Sequence, residues 1–403
     1  MYIKELTINE FEEYTSRNKL DSFYQTRSYA ILMAEFGYEH EYIGYFDDNK
    51  IVAASLILYK SLNGINFGYA PRGFLIDYMN FQLLSKFTKD LIEYYYNKEF
   101  AFIKINPNIK IGLLNKTKEF TYNKNYVVRD YLRDLGYLKL KDNMYFESML
   151  PRLSPVIDLN SYRTSDLSKN TRNKIKKGIR KGLKYRKGTI EDLYHLETFT
   201  KATNFYLNDV YNIFSKESKA EIYIVEIDTI KYLKNSQAFY DLEYEKNQNY
   251  NRLMVKKNTP NNINTKMNSD RALLAYKKDV MEATKLSDLQ PSIVVAAALV
   301  INHNNKAEII SSGYDDSFKR FSPNYYLHYS IIKNLKKSCS FLNLNGVSAD
   351  FSSESLYKGL NDFKLGFNPD VYENIGEYDL VVSKKAYDYL LRNKLIQKEF
   401  KKK

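Results

Sequence analysis

Tryptophan is absent from this chain, and cysteine occurs once, as Cys339. A single thiol excludes an internal disulfide framework and a multi-cysteine metal site. Histidine is scarce too: His40, His195, His303 and His328 show no zinc-ligand spacing and read as ordinary surface or core residues. No apolar run reaches membrane length. The longest, Ile293 to Ile301, is about half of the ~20 residues a spanning helix needs and reads as a buried strand. The start, Met1-Tyr2-Ile3-Lys4-Glu5, lacks the charged and then apolar layout of a signal peptide. Neither a Walker loop nor a dinucleotide fingerprint occurs. These absences together lead us to expect a soluble, cytoplasmic protein with no metal and no bound cofactor.

What is present begins with size and charge. A chain of 403 residues, 44% of them hydrophobic, is too long for one ordinary core, so two domains are expected. The formal net charge of +13 implies an acidic partner: nucleic acid, a phosphorylated precursor or an anionic membrane surface. An AT-rich genome, which inflates Lys, Asn, Ile and Tyr, explains the same charge and the 38 tyrosines equally well. Charge alone does not choose between the two.

Periodicity divides the chain. Tyr42 to Phe46 and Ile51 to Tyr59 flank the turn Asp47-Asp48-Asn49-Lys50, a hairpin signal. A helix is expected over Phe81 to Tyr96, with Leu83, Leu84, Phe87, Leu91 and Tyr94 on one face. Phe102 to Asn106 reads as a strand ended by Pro107. The first domain therefore spans 1–151. The second spans 152–227 and 290–395, with strands over Ile293 to Ile301, Ala307 to Ser312 and Phe341 to Leu344. Its helix, Asn324 to Lys337, carries Tyr326, Tyr329, Ile332 and Leu335 on its apolar side. Between the two pieces, 228–289 is polar, Tyr-rich and helical, broken once at Asn258-Thr259-Pro260, and reads as an inserted two-helix arm. Met267, Leu274 and Met281, seven apart, would form its coiled-coil seam. Residues 396–403 are a basic tail.

Two distant segments carry the most information. The first is Gly68-Tyr69-Ala70-Pro71-Arg72-Gly73-Phe74-Leu75-Ile76-Asp77-Tyr78. The second runs Asn345-Gly346-Val347, Asp362-Phe363-Lys364-Leu365-Gly366-Phe367 and Ile375-Gly376-Glu377-Tyr378-Asp379. In order and separation they resemble the FemABX aminoacyltransferases, which move an amino acid from aminoacyl-tRNA onto a peptidoglycan precursor. The resemblance covers nearly the whole chain, and the arm places it with the FemA and FemB branch. It implies an α+β fold of two tandem GNAT-like domains, with the antiparallel helical arm inserted in the second. It implies aminoacyl-tRNA as co-substrate, no cofactor, and a lipid-linked or UDP-linked muramyl peptide as acceptor. Peripheral membrane contact would come through that substrate, at the inner face of the membrane. A second copy of the chain or a paralogue is the expected protein partner. The Arg/Gln-x-x-Gly-x-Gly/Ala loop of simple GNAT enzymes is missing, which argues against acyl-CoA as donor.

The resemblance also distributes roles. Tyr69, Arg72 and Gly73 would lie at the entrance of the cleft, Tyr211 in the precursor region, and Phe363 with Lys364 beside the acyl-transfer centre. There Lys364 would be a fixed cation near developing negative charge and Phe363 an apolar wall that excludes water. Arg72 has a second reading, a loop brace paired to Asp77. Lys174, Lys176, Lys177 and Arg180, in a basic helical stretch, would contact tRNA phosphates without reading sequence, or form an ordinary solvated face. Departures from the family pattern matter as well. The strand that ends Asp-Pro in the family, whose Asp has been proposed as a base, here ends Asn106-Pro107. A neutral amide accepts no proton, so Asn106 is kept only as a substrate-binding position. Ile31 and Leu207 stand where lysine and arginine hold the precursor's diphosphate, and Ala101 and Ser311 where two further tyrosines stand. A lipid-linked precursor, or one already carrying a first bridge residue, fits those changes better than a UDP-linked one. No base is evident; Asp77, Asp350, Glu377 and Asp379 are the carboxylate candidates, with the tRNA ribose or a water as the alternatives.

Overall fold

The computed structural model describes residues 1–142, 144–145, 149–200, 204–217 and 219–395. The basic tail over 396–403 lies outside the described residues. Two mixed sheets form the body. The first holds seven strands, in spatial order Tyr2–Glu5, Glu39–Asp47, Lys50–Leu62, Ile65–Ala70, Phe100–Ile105, Tyr378–Val381 and Tyr137–Lys139. The second holds nine: Leu183–Lys187, Ala220–Asp228, Ser292–His303, Lys306–Tyr314, Phe341–Asn343, Leu153–Asp158, Asp370–Asn374, Lys110–Leu114 and Phe120–Tyr122. Sheet membership crosses the boundary near 151 in both directions. Tyr378–Val381 pairs with Phe100–Ile105 in the first sheet, while Lys110–Leu114 pairs with Asp370–Asn374 in the second. Each half therefore lends a strand to the other, which ties the two together through backbone hydrogen bonds.

Each sheet contains one parallel pair joined by a crossover helix. In the first, Ile65–Ala70 runs parallel to Phe100–Ile105, and helix Phe81–Tyr96 crosses between them with Leu84, Phe87, Leu91 and Tyr95 buried. Asn80 starts that helix by accepting the Leu83 amide, the usual N-cap contact. In the second, Lys306–Tyr314 runs parallel to Phe341–Asn343. Helix Pro323–Leu335 crosses there, burying Leu327, His328, Ile331, Ile332 and Leu335. Its buried face lies a step away from the expected one, so Tyr326 and Tyr329 are only half-buried and His328 takes an inner position. The architecture is thus the α+β one expected, two GNAT-like halves. In the predicted hairpin the two turn residues, Asp48 and Asn49, have φ of 46° and 69°, the left-handed pair of a tight two-residue turn.

The arm is formed by helices Thr229–Lys256 and Pro260–Leu289, packed antiparallel. The heptad is present but sits two residues along from the expected one. Met267, Leu274 and Met281 are about half exposed. Ser269 and Ala283 are buried instead, with half-buried Tyr276 between them. The seam is polar and closely spaced: Asn247 Nδ2 donates to Ser269 Oγ at 3.2 Å and to Asp270 at 2.8 Å, and Ser269 Oγ donates to Glu243 at 2.6 Å. Small side chains allow the helices to approach, and the apolar ones are left facing outward. At the arm's base, Lys181 is buried between Asp279 (2.7 Å) and the Tyr232 hydroxyl (3.1 Å). Among the described residues no helix is long and apolar enough to cross a membrane.

Candidate active site

The segment 362–367 builds one wall of a cavity of about 260 Å3. Helix Lys358–Leu365 turns its last residues inward, so that Phe363 and Lys364 are buried. Gly366 follows because nothing larger fits: a Cβ there would stand 2.2 Å from Thr171 Oγ1. The same contact docks the basic helix Lys169–Arg180, whose capping Ser168 donates its amide to Gly366 O at 3.0 Å. Lys364 Nζ donates to Gly346 O at 2.7 Å and to Asn345 O at 3.1 Å. Burial pulls its pKa down to about 7, with the carboxylate of Glu308 acting in the other direction. An amine depressed this far is suited to exchange a proton or to answer a developing negative charge.

Around Lys364 the cavity is mostly apolar, with Ile309, Ile310, Leu327, Leu344 and Leu360 in its lining. Phe363 meets the rings of Tyr325 and His328 edge-on, at 4.9 and 4.8 Å between centroids. His328 is 1% exposed. Its Nδ1–H donates to Asn324 O at 3.0 Å, which leaves Nε2 as an acceptor with no partner among the described residues. Burial pushes its pKa down to about 4, the bond to Asn324 opposing and the Lys364 cation adding to the fall, so the ring stays neutral at working pH.

A larger cavity of about 940 Å3 lies between the two halves. Cations face it from both sides, among them Arg72, Lys110, Lys124 and Lys306, along with the carboxylates Asp21, Asp77 and Glu308. Burial and the neighbouring Lys306 charge lower the pKa of Lys110, whose ammonium sits 3.8 Å over the ring of Tyr372. His303 Nε2 lies 2.8 Å from an Asp21 carboxylate oxygen, a hydrogen-bond contact from one half to the other. Strand Lys306–Tyr314 and the residues after Phe341 form a shared wall. Ala307, Glu308 and Asn343 line the large cavity, whereas Ile309, Ile310, Leu344 and Asn345 line the small one.

The remaining predicted residues divide clearly. Tyr69, Arg72, Gly73 and Asn106 come together at the end of the first parallel pair. Asn106 is 3% exposed; its Oδ1 accepts the Arg72 amide at 2.7 Å and its Nδ2 donates to the Tyr69 hydroxyl at 2.9 Å. Burial, with Glu377 nearby, pushes the Tyr69 hydroxyl well up, so it stays neutral. Arg72 takes a φ of 55°, and its guanidinium donates to Pro151 O at 3.4 Å. Among the described residues it makes no ion pair with Asp77, so the Asp77 brace is replaced by a contact to the linker between the halves, and its side chain lines the large cavity. A Cβ on Gly73 would come within 2.7 Å of Ser55 Oγ, which explains the glycine. Tyr211 lies half-buried on helix Asn204–Ser215, against the core shared by the two halves, and lines neither cavity. Ile31 is exposed and Leu207 is buried in the same core. Neither is suited to hold a phosphate.

On the basic helix, Lys176 is exposed and Lys174 and Lys177 are partly so. Burial, then the charges of Lys174 and Arg180, lower the pKa of Lys177. Arg180 is turned to the arm, 5.3 Å from the ring of Phe239 and 5.6 Å from that of Tyr276. None of the four carboxylates considered as bases lines the small cavity. Asp379 pairs with Lys104 at 2.8 Å and accepts from Tyr387. Glu377 accepts the Met149 amide, Asp350 accepts the Ser352 amide, and Asp77 accepts that of Met79. Glu308 and His328 were not singled out from the sequence. Glu308 sits in an alternating strand and reads as its solvent side; His328 falls among the apolar positions of its helix and reads as core. The one available signal was a carboxylate inside a strand directly following the chain's longest apolar run.

Comparison with known proteins follows this geometry. A model described as the FemAB family matches residues 6–392. Aminoacyltransferase FemA of Staphylococcus epidermidis is 25% identical over 427 aligned residues, which cover 99% of this chain and 100% of that protein. Aminoacyltransferase FemA of Staphylococcus aureus (strain MRSA252) is 24% identical over 412 residues, 96% of this chain and 97% of its own length. Among solved structures, the crystal structure of FemX superposes with a TM-score of 0.74 at 17% identity, over 97% of this chain and 100% of that one. At that identity the likeness speaks for the fold.

Proposed function

The chain belongs to the FemAB family of aminoacyltransferases, and on that premise we propose that it adds an amino acid of the Gly, Ala or Ser class from aminoacyl-tRNA to a peptidoglycan precursor. The acceptor is the stem-peptide amine or the growing bridge, on a lipid-linked or UDP-linked muramyl peptide met at the inner face of the membrane. No cofactor takes part. The reaction is aminolysis of an ester that is already activated, so the protein has to position two substrates, manage protons and stabilise a tetrahedral oxyanion.

Lys364 carries this reading. A buried amine with a pKa near 7, held on two backbone carbonyls beside an apolar cavity, is a poor structural cation and a suitable partner for transient negative charge. Water excluded by Phe363 strengthens that interaction. The small cavity, about 260 Å3, has room for an aminoacyl group beside Lys364. The large cavity, with Arg72, Lys110 and Lys306, has the size and charge for an anionic acceptor. The exposed cations of the basic helix, docked directly on Gly366, are placed to take donor phosphates close by.

The test is an acyl-transfer assay with purified protein and labelled aminoacyl-tRNAs. Acceptors are lipid-linked and UDP-linked muramyl pentapeptides, each with and without a first bridge residue. Label on one acceptor is the expected result and fixes donor and acceptor together. Failure on all of them, with precursor or tRNA still bound, would favour a catalytically idle role or transfer to an amine outside peptidoglycan.

A further inference from the structure

Asn106 closes the first parallel pair and cannot take a proton, so the reaction just proposed needs its proton acceptor elsewhere. The wall between the two cavities supplies one. Glu308 lies on strand Lys306–Tyr314, directly opposite Asn343 in the parallel register. Tyr24 donates its hydroxyl to Glu308 Oε1 at 3.2 Å, and Asn343 Nδ2 donates to Oε2 at 3.1 Å. These two bonds fix the plane of the carboxylate. The residues that follow Asn343 hold Lys364. Asn345 donates to Ile310 O at 3.2 Å, takes a φ of 63°, and offers its own carbonyl and that of Gly346 to Nζ. One stretch of four residues therefore anchors a carboxylate on the acceptor side of the wall and an amine on the donor side.

Resting on the acyl-transfer reading, we propose that Glu308 is the proton acceptor for the attacking amine. The ammonium of the acceptor enters from the large cavity and gives one proton to the Glu308 carboxylate. The backbone pairing of the wall ends at Glu308 and Asn343, and past that end the freed nitrogen lone pair attacks the ester carbonyl presented from the small cavity; the C–N bond forms and the carbonyl pair moves onto oxygen, facing Lys364. The intermediate collapses as the bond from carbonyl carbon to the ribose 3′ oxygen breaks. A second proton from the nitrogen goes to that oxygen, leaving an amide and a free hydroxyl. Glu308 then returns its proton to water, so one proton is released per turnover and no oxidant, reductant or further reactant is needed.

The groups that face Glu308 set the terms of this step. Across the wall, Lys364 is a cation that feels the Glu308 charge. From the first half come Tyr24, by hydrogen bond, and Tyr29, which feels the same carboxylate; Tyr206 feels it from the helix after 204. Within the large cavity, Arg72 and Lys110 stand on the first-half side, and Lys306 donates to Asp21 O at 3.1 Å near the Asp21–His303 pair. Cations thus outnumber carboxylates around the acceptor's entry.

The experiment compares the full-length protein with Glu308→Gln, using aminoacyl-tRNA and the muramyl acceptor found active. It is repeated with the acceptor amine replaced by an aminooxy group, which is unprotonated at neutral pH. General-base loss is expected to lower kcat for the ordinary amine about 100-fold or more at pH 7. The deficit should shrink as pH rises toward the amine's own pKa, and should fall to a few-fold with the aminooxy acceptor. Equal deficits on both acceptors, or rates within about threefold of the parent across the pH range, would overturn the assignment. If Glu308→Gln melts far below the parent, Glu308→Asp is read for the same split between the two acceptors. An inactive parent overturns the acyl-transfer reading and this one together; an active parent with an unaffected Glu308→Gln overturns Glu308 alone.

Discussion

The two halves of the molecule repeat one motif, a parallel strand pair bridged by a crossover helix, and finish it in opposite ways. At the end of the first pair, Asn106, Tyr69 and the Arg72 backbone satisfy one another at 2.7 and 2.9 Å, and all three residues are buried. At the end of the second, the wall holds a lysine at a pKa near 7 and a neutral histidine with an orphan nitrogen. A carboxylate stands behind them. Buried polar groups are ordinarily hydrogen-bonded, and exceptions concentrate at functional sites. On the proposed reading, one copy of the motif serves as a structural joint while the other carries the chemistry. Substitutions should therefore separate stability from turnover according to the half they fall in.

The largest separation is expected at Lys364. Lys364→Met should lower transfer about 100- to 1000-fold, the range for removing one group that stabilises an oxyanion, without a comparable fall in melting temperature. Its pH signature follows from the depressed pKa. Unfolded, the amine binds its proton up to about 10.5; folded, only up to about 7. Between those values the unfolded state holds more protons, so stability from this group rises with pH and its penalty is fully present below about 7. Melting curves from pH 6.5 to 9 should show the parent gaining on Lys364→Met as pH rises. A parallel pair of curves would break the comparison.

Asn106 is the opposite case. Asn106→Ala removes the acceptor of the Arg72 amide and a donor to the Tyr69 hydroxyl, a cost of about 1–3 kcal/mol. Transfer by the folded variant should fall less than tenfold. Denaturant titration and the transfer assay, run side by side, check both halves of that statement. Asn106→Asp, which offers an acceptor to both neighbours once the Tyr69 hydroxyl turns to donate, should not raise the rate. A large gain would return the base to the first half and remove the asymmetry.

His328 gives a smaller effect of the same kind. Its folded pKa of about 4 lies below the ordinary histidine value of 6.5. The unfolded state therefore binds the extra proton between those values, and stability is lost as pH falls through that window. His328→Leu should flatten that acid limb in a melting series. If the orphan nitrogen faces the donor, the same variant should raise the donor's KM several-fold while kcat changes little.

Much of this was legible from the sequence because it rests on local pattern. The hairpin at Asp48-Asn49, the helix Phe81–Tyr96 and the break at Thr259-Pro260 are set by turn chemistry, by apolar period and by proline. Lys364 was singled out by the family resemblance of the segment Asp362 to Phe367, in which the missing side chain of Gly366 is required by Thr171, far away in sequence. What was hidden depends on contacts between distant segments. The two hydrogen bonds of the Asn106 amide are made only when Tyr69 and Arg72 fold over it. Glu308 looked like strand surface because the cavity it faces is formed by the other half. The arm's seam was misplaced because hydrophobicity was taken as the guide to contact. Ser269 and Ala283 are buried there for their small size, and Asn247 and Glu243 bind across a polar interface.

The smallest effect tests whether the asymmetry extends to the partner each half meets. Only the second half has a cationic helix docked on its lysine-bearing segment, through Gly366 and Thr171. If donor phosphates lie along that helix, Lys176→Ala and Lys177→Ala should each reduce the slope of log affinity for tRNA against log salt by about 0.7–0.9, with little change in transfer at low salt. Arg180→Ala is the informative control. Its guanidinium is turned to Phe239 and Tyr276, so its removal should loosen the arm's base and leave the slope nearly unchanged. A full reduction for Arg180 and none for Lys176 would move the RNA from the exposed face of this helix to the arm. The second half would then still hold the chemistry, but the insertion, rather than the repeated motif, would bring the donor to it.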